Sequence, residues 1–447
     1  MSRAILVLGG GRIASPLVRY LLARTPHRVL VAARELSRVL PILDEYPRGR
    51  AVEMNVEDEA RLAEMVGEAD IVVSLLPASY SPAVARLALA RRIPFVNTSY
   101  VADETRALDA QARRAGVLLL GEIGLDPGID HMSAVQATRR IKARGGRVLS
   151  LQSVCGGFPA PDANDNPWGY KFSWFPRAVL AAGRLGARYR RKGETIEVPP
   201  SEVFRRVWPQ PVAGSGIFEV FPNRDALAYE DAYGIRGAEG LFRGTLRYPG
   251  WCATMRAALE LGLLDDEERS WPEGTTLRDV STRLVPGGRE ATVERVAERL
   301  AVSPDSEILA RLEWAGLMSD RPVAARRASP LDLFAGRLER LMTYRPGERD
   351  MVVLEHRLRA VFPDGHTENR TSTLVAVGQR WGDSAMARTV SLPAAIATRL
   401  VLEGAIEAVG VQIPNLPEIY APVLDELAEK GVALEERHDG DYAGPLD

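Results

Sequence analysis

The sequence predicts an α/β protein: a doubly wound parallel sheet, a second α+β substrate region and a small helical insert. Three observations predict it. Residues 3 to about 143 alternate short β-branched or Leu/Val runs with longer stretches carrying apolar residues at i, i+3 and i+4, the pattern of βαβ units. The first run ends in Gly9-Gly10-Gly11, followed by Arg12-Ile13-Ala14. Past Ile129-Asp130-His131 the texture changes to aromatic, Gly- and Pro-rich segments.

Strands are expected at Ala4–Leu8, Arg28–Ala33, Ala51–Met54, Asp70–Leu75, Pro94–Asn97 and Val117–Leu120. Helices between them are expected at Ile13–Ala23, Glu57–Val66, Ser81–Arg91 and Asp103–Ala115. Gly156–Pro161 and Asn166–Tyr170 read as shaped loops of the second region, rich in the residue types that form sites. Residues 265–335 are charged and helical, as in Ala291–Leu300 and Ser306–Leu317, with a turn at Pro286-Gly287-Gly288. Met351–Phe362 and Thr371–Val377 return to strand patterning around Pro363-Asp364-Gly365, which predicts a hairpin.

With 447 residues, 46% of them hydrophobic, the chain is long enough for roughly two or three domains. Lys+Arg total 57 against Asp+Glu 59, so no basic surface recommends nucleic acid as a partner. Met1–Ile5 shows no leader pattern, and the apolar stretch Ala394–Val411 is broken by Arg399, Glu403 and Glu407, which reads as an amphipathic helix rather than a membrane span. A cytoplasmic protein with no membrane partner is expected. Cys155 and Cys252 stand alone, and the five histidines do not pair at ligand spacing, so no disulfide framework and no metal are assigned.

Gly9-Gly10-Gly11-Arg12-Ile13-Ala14 is G-x-G-x-x-A at a strand-to-helix junction. There the tight turn and the close approach of a pyrophosphate leave no room for a Cβ, and the helix N-terminus offers free N–H donors. This points to a Rossmann-type dinucleotide domain. The second strand ends in Arg34 where an NAD site usually has an acidic residue, which favours NADP; the alternative is NAD, with Arg34 solvated and Glu35 on the ribose. Asn55 and Leu75 follow the third and fourth strands, and Rossmann topology puts both beside the cofactor. Thr98-Ser99-Tyr100 and Glu122–His131 follow the fifth and sixth, where a substrate meets the nicotinamide. Asp126 also reads as a turn or capping residue, and Asp130 and His131 read as packing or capping groups. Cys155 is either a titrating group or an inert buried thiol. Arg224, Arg247 and Lys171, in aromatic and Gly/Pro surroundings, are the candidate cations for an anionic amino-acid substrate.

Leu8–Ala14, Ser74–Pro77, Thr98–Tyr100, Gly121–His131, Cys155–Pro161, Asn166–Trp174, Pro222–Asp225, Arg243–Tyr248, Gly347–Asp350 and Thr371–Leu374 together closely resemble the saccharopine reductase family, also called saccharopine dehydrogenase (L-glutamate-forming). The resemblance runs in register over nearly the whole chain and is weakest from 265 to 345. It implies a Rossmann domain over 1–130 completed by 385–447, a substrate domain over 131–264 and 336–384, and a small helical domain over 265–335. It implies reduction by NADPH of the imine formed from L-2-aminoadipate 6-semialdehyde and L-glutamate, giving saccharopine. By motif, the cofactor is expected on Gly9, Gly11, Arg12, Ile13, Arg34, Asn55, Leu75, Thr98, Asp126 and Ser173, and the substrate on Ser99, Tyr100, Asp126, Arg224, Thr245 and Arg247. The resemblance and ordinary acid–base logic put Asp126, Tyr100 and Cys155 nearest the transferred protons. Arg12 departs from the family, which often has an apolar or aromatic residue there.

The alternative within the enzyme class is a carboxynorspermidine or carboxyspermidine dehydrogenase, whose cationic substrate calls for acidic residues opposite the arginines. A catalytically silent NADP-sensing protein is the alternative from another class. A homodimer is the default assembly.

Overall fold

The computed structural model describes residues 2–284, 292–323, 325–438 and 444–446. The chain divides into two compact units, one of residues 1–146, 232–235 and 376–435, the other of 147–231, 236–375 and 436–447.

The first unit is built on β1 (Ala4–Leu8), β2 (Arg28–Ala33), β3 (Gly49–Glu53), β4 (Ile71–Ser74), β5 (Phe95–Asn97), β6 (Leu118–Leu120) and a late strand, Gly410–Gln412. Their order is Gly410–Gln412, β6, β5, β4, β1, β2, β3, with every pairing parallel. β1 lies at the centre, with Ile5 opposite both Val29 and Ile71. Ile5, Leu6, Val7 and Leu8 are at most 1% exposed, as a strand covered on both faces requires. The reversal of strand order between β1 and β4 is where an open sheet of this kind makes a ligand crevice.

Two sequence expectations change here. Asp103–Ala115 is two helices, Asp103–Arg106 and Asp109–Ala115. The helix expected over Ala394–Val411 runs instead from Ala385 to Glu403 and stops at Gly404, whose φ of 76° ends it in the left-handed conformation that glycine tolerates. Strand Gly410–Gln412 then adds to the sheet edge, beyond the run of βα units that announced the other six. Helix Ala385–Glu403 is long and apolar enough to cross a membrane, but its apolar window is 78% buried and it packs on helix Ala14–Arg24 as a core element.

The second unit holds a mixed sheet in the order Trp208–Val212, Gly216–Pro222, Gly240–Arg247, Arg147–Pro159, Asp350–Val361, Thr367–Val377, Glu435–His438. Gly156–Pro159, expected as part of a loop, instead continues the strand Arg147–Pro159, where its backbone pairs with Asp350–Val353. Asp350–Val361 and Thr367–Val377 form the expected hairpin, closed by Phe362 N–H donating to His366 O at 3.0 Å and by Gly365 at φ 87°. Between Arg269–Ser270 and Arg327–Ala328, which pair as a short antiparallel ribbon, the chain makes helices Leu277–Leu284, Val293–Leu300 and Glu307–Trp314. Ala291 and the turn expected at Pro286-Gly287-Gly288 lie outside the described residues. Helix Glu307–Trp314 is tied to the Asn166–Trp174 loop: Trp168 Nε1 donates to Arg311 O (3.0 Å) and Arg311 Nε to Pro167 O (2.7 Å).

Candidate active site

The glycine turn uses each of its three residues differently. Gly9 has φ 104°, donates to Ala32 O at 2.8 Å, and a Cβ there meets the Leu75 carbonyl at 3.3 Å. A Cβ on Gly10 falls 2.3 Å from Val39 Cγ2 and 2.9 Å from Ala33 Cβ. Gly11 is solvent-exposed and a Cβ there meets nothing within 4 Å. The first two glycines are therefore required by the chain, whereas at the third the open space lies outside it. Helix Ala14–Arg24 starts just beyond with no side-chain cap on Ile13 and no acid in its first turn, so apart from Ala14 N–H, which donates to Gly11 O at 3.2 Å, its leading N–H groups remain available to an anion. A pyrophosphate fits this cradle. Arg12 is partly buried beside it.

Every other cofactor or substrate residue expected in this unit stands just past the carboxyl end of a strand: Arg34 after β2, Asn55 after β3, Leu75 after β4, Thr98-Ser99-Tyr100 after β5 and Asp126 after β6. Arg34 is exposed, and Glu35 accepts from Ser37 Oγ at 2.8 Å. Asn55 Oδ1 accepts the Glu57 N–H at 3.2 Å, a local turn contact. Leu75 N–H donates to Leu8 O at 2.8 Å, which holds it against Gly9. Tyr100 Oη donates to Asp126 Oδ1 at 2.9 Å, so a phenol and a carboxylate 26 residues apart share one proton path.

Of the groups that support this pairing, Asn97 and Glu122 were not singled out from sequence, whereas Asp130 and His131 were read as packing or capping groups. Asn97 turns the chain after β5, with Oδ1 accepting from Ser99 N–H (3.0 Å) and Nδ2 donating to Ser81 Oγ (2.8 Å). Glu122 is fully buried at φ 58°; its Oε1 accepts the Val101 N–H at 3.0 Å and its Oε2 lies 3.0 Å from His131 Nε2. His131 Nδ1 in turn sits 2.7 Å from Tyr233 Oη. This buried chain staples segment 121–131 to the one carrying Tyr100. Asp130 accepts from Gly128 N–H at 2.6 Å, a capping role. No periodicity or motif grammar signals such a link, because its partners are set by the third dimension alone.

In the second unit, Cys155 on Arg147–Pro159 is directly opposite Thr245 on the parallel strand Gly240–Arg247. Residues two apart on a strand share a face, so Cys155, Thr245 and Arg247 line one side of the sheet. Arg247 is 7% exposed, with its guanidinium 5.0 Å from the Tyr170 ring centroid and 5.5 Å from that of Trp251. Its Nη1 donates to Leu246 O at 2.7 Å, but among the described residues no carboxylate pairs with it and its Nε finds no acceptor. A buried cation left this way is costly, and an incoming carboxylate relieves the cost. Lys171, the third expected cation, is already neutralised by Glu348 (2.7 Å) and Asp165 (2.8 Å) and is not available to a ligand. Arg224 is exposed at φ 56°, a conformation uncommon outside glycine, next to an Asp225 held by Arg188.

Ser173 is 5% exposed and its Oγ has no hydrogen-bond partner among the described residues. The loop before it is shaped locally. Asn166 accepts from Trp168 N–H (3.1 Å) and donates to Tyr170 O (2.9 Å), and Gly169 has φ 60° with a Cβ position 2.9 Å from Tyr248 Cβ. Cys252 has no chemical role here: burial, then the Glu219 carboxylate, pushes its thiol well above the ordinary range.

The glycine turn, the parallel topology and the polar set at the strand ends define a class: a Rossmann-type oxidoreductase using a nicotinamide dinucleotide. Comparison with known proteins narrows it. The sequence model of the saccharopine dehydrogenase NADP binding domain matches residues 5–120, and that of the saccharopine dehydrogenase C-terminal domain matches residues 124–432. The chain belongs to the saccharopine dehydrogenase family. It is 37% identical to saccharopine dehydrogenase [NADP(+), L-glutamate-forming] of Saccharomyces cerevisiae over 98% of this chain and 99% of that one. The enzyme of the same name from Schizosaccharomyces pombe is 34% identical, covering 97% of this chain and 98% of that one. The mouse mitochondrial alpha-aminoadipic semialdehyde synthase is 35% identical over 97% of this chain, which spans 47% of that longer protein. A solved structure of the apo Saccharomyces cerevisiae saccharopine dehydrogenase (L-Glu forming) superposes with a TM-score of 0.85 at 35% identity, covering 98% of this chain and all of the other.

Proposed function

We propose that this protein is an NADP(H)-dependent saccharopine dehydrogenase of the L-glutamate-forming kind, interconverting saccharopine with L-2-aminoadipate 6-semialdehyde and L-glutamate. The observation that carries the substrate class is Arg247, a buried guanidinium with no carboxylate within ion-pair distance among the described residues, as a substrate with three carboxylates supplies. Carboxynorspermidine, with a single carboxylate on a polyamine chain, offers Arg224 and Arg247 fewer partners than saccharopine does. Full-length similarity to the yeast enzymes supports the particular reaction.

In this reading Gly9, Gly11, Arg12, Ile13, Arg34, Asn55, Leu75, Thr98, Asp126 and Ser173 hold NADP. Bound nicotinamide supplies the hydride acceptor or donor. Arg224, Arg247, Thr245 and Ser99 hold the substrate's carboxylates and polar groups. Tyr100 and Asp126, linked at 2.9 Å, take and return the protons that leave the secondary amine and the attacking water as the carbon–nitrogen bond is cleaved. Cys155, on the Thr245 face, is assigned as the third proton-transfer group. Arg34 selects the 2′-phosphate of NADP, and NAD is the weaker cofactor. We further propose a cytoplasmic, homodimeric enzyme working without metal, nucleic acid or membrane; size-exclusion chromatography and cell fractionation test those two assignments.

The test is the amino acid released when the protein is incubated with saccharopine and NADP. L-Glutamate supports the proposal; L-lysine puts the cleavage on the other side of the bridging nitrogen and refutes it.

A further inference from the structure

Helix Pro330–Leu341 presents Leu333, Gly336, Arg337 and Arg340 at the three- and four-residue spacing that aligns side chains on one face. That face lines a groove of about 420 Å3, which Leu277 and Arg321 line as well. Three arginines thus line one cavity. Like charges at this spacing repel. Among the described residues no carboxylate pairs with Arg321, Arg337 or Arg340. The one acid in the lining, Asp332, is held by Arg177 (2.7 Å) and Ser329 Oγ (2.6 Å). Arg337 uses its Nε on Ala315 O (2.8 Å); partial burial first, then the fields of Arg321 and Arg340, make its cationic form harder to keep.

A second observation is independent of charge. Gly336 sits in the interior of the helix, where glycine costs about 1 kcal/mol relative to alanine. An added Cβ there meets nothing within 4 Å, so nothing in the chain itself demands the glycine. An open helix backbone in a groove lined by three guanidinium groups, none paired with a carboxylate among the described residues, leaves room for a ligand to approach closely.

We propose that this groove is a binding site for a small multiply charged anion, a di- or tricarboxylate or a phosphate, separate from the dinucleotide turn and from the Arg224 and Arg247 set. Leu277 and Leu333 supply apolar walls for its carbon skeleton. The site stands whether or not saccharopine is the substrate, since none of its residues belongs to the proposed catalytic machinery.

The test is calorimetric titration of the full-length protein, held in excess NADP, with citrate and separately with inorganic phosphate. Saturable binding of either is expected, and the tighter of the two identifies the carboxylate or the phosphate as the recognised group. Arg337→Gln/Arg340→Gln should weaken that binding tenfold or more, and Gly336→Met should abolish it by filling the groove. NADP affinity should be unchanged in both, and the charge-relieved variant should melt no lower than the parent. Absence of saturable binding in the parent protein, or undiminished affinity in the two variants, overturns the proposal.

Discussion

Arg247 carries opposite signs for stability and for function. Its guanidinium is 7% exposed and lies over two aromatic rings, and among the described residues no carboxylate is within ion-pair distance although Glu219 is its cross-strand neighbour, so on the proposed role the unliganded protein bears a desolvation cost that a substrate carboxylate relieves. Arg247→Gln should therefore lower kcat/KM for saccharopine by about 10² to 10³, most of it in KM, as losing one partner of a buried charge contact does. The same substitution should leave the melting temperature of the apo protein unchanged or raise it; a matching loss of stability would make Arg247 structural. Tyr100→Phe removes the hydroxyl that donates to Asp126 at 2.9 Å and should cut kcat by about 10² while leaving NADP affinity intact, read by steady-state kinetics and fluorescence titration. At this scale the sequence was uneven. Arg247 stood out by its aromatic and glycine surroundings, yet Lys171 in equally aromatic company is consumed by Asp165 and Glu348, the latter 177 residues away, which no local pattern reveals. Glu122 was unreadable for the same reason: a buried acid's value depends on what the fold places against it, whereas His131, read as a packing or capping group, is fully buried against Glu122 and Tyr233.

At the scale of elements, the glycine turn separates what the chain needs from what a ligand needs. Gly10→Ala puts a methyl 2.3 Å from Val39 Cγ2 and should destabilise the unit by about 1 to 3 kcal/mol. Gly11→Ala meets nothing within the chain and should leave the melting temperature unchanged while weakening NADP binding tenfold or more. Equal effects of the two on stability would contradict the assignment of Gly11 to the cofactor. The G-x-G-x-x-A spacing revealed the turn, but it treated Gly10 as an arbitrary residue because Val39 comes from a later segment. The loop carrying Ser173 makes a pH prediction. Burial pushes the Glu348 carboxyl up, but hydrogen bonds from Lys171 and Arg345 outweigh it and hold it below the usual range. A depressed carboxylate contributes stability that is present above its unfolded pKa, about 4.3, and lost as pH falls through the folded value. In urea unfolding, Glu348→Gln should be less stable than the parent near pH 7, with the difference closing below about pH 4; a difference that persists in acid would exclude the ion pair as its source.

Across the whole molecule, the parallel sheet was legible because each of its first six strands is a short apolar run followed by an amphipathic helix. Its seventh strand was not, since Gly410–Gln412 stands apart from the run of βα units and belongs to a sheet that began some 400 residues earlier. The first unit is discontinuous: Arg399 Nε donates to Tyr20 Oη at 2.7 Å and Arg399 Nη2 to Glu426 at 2.7 Å, tying the C-terminal helices to Ala14–Arg24. A fragment of residues 1–146 lacks those helices and the edge strand, and it should fail to show a cooperative unfolding transition or bind NADP. The central claim concerns chemistry, and one measurement addresses it most directly: the initial rate of absorbance rise at the reduced-nicotinamide band, with saccharopine or carboxynorspermidine and with NADP or NAD. The structure and its family predict a rise that requires saccharopine and is faster with NADP. Reduction driven by carboxynorspermidine but not by saccharopine, or no reduction with either, would contradict it.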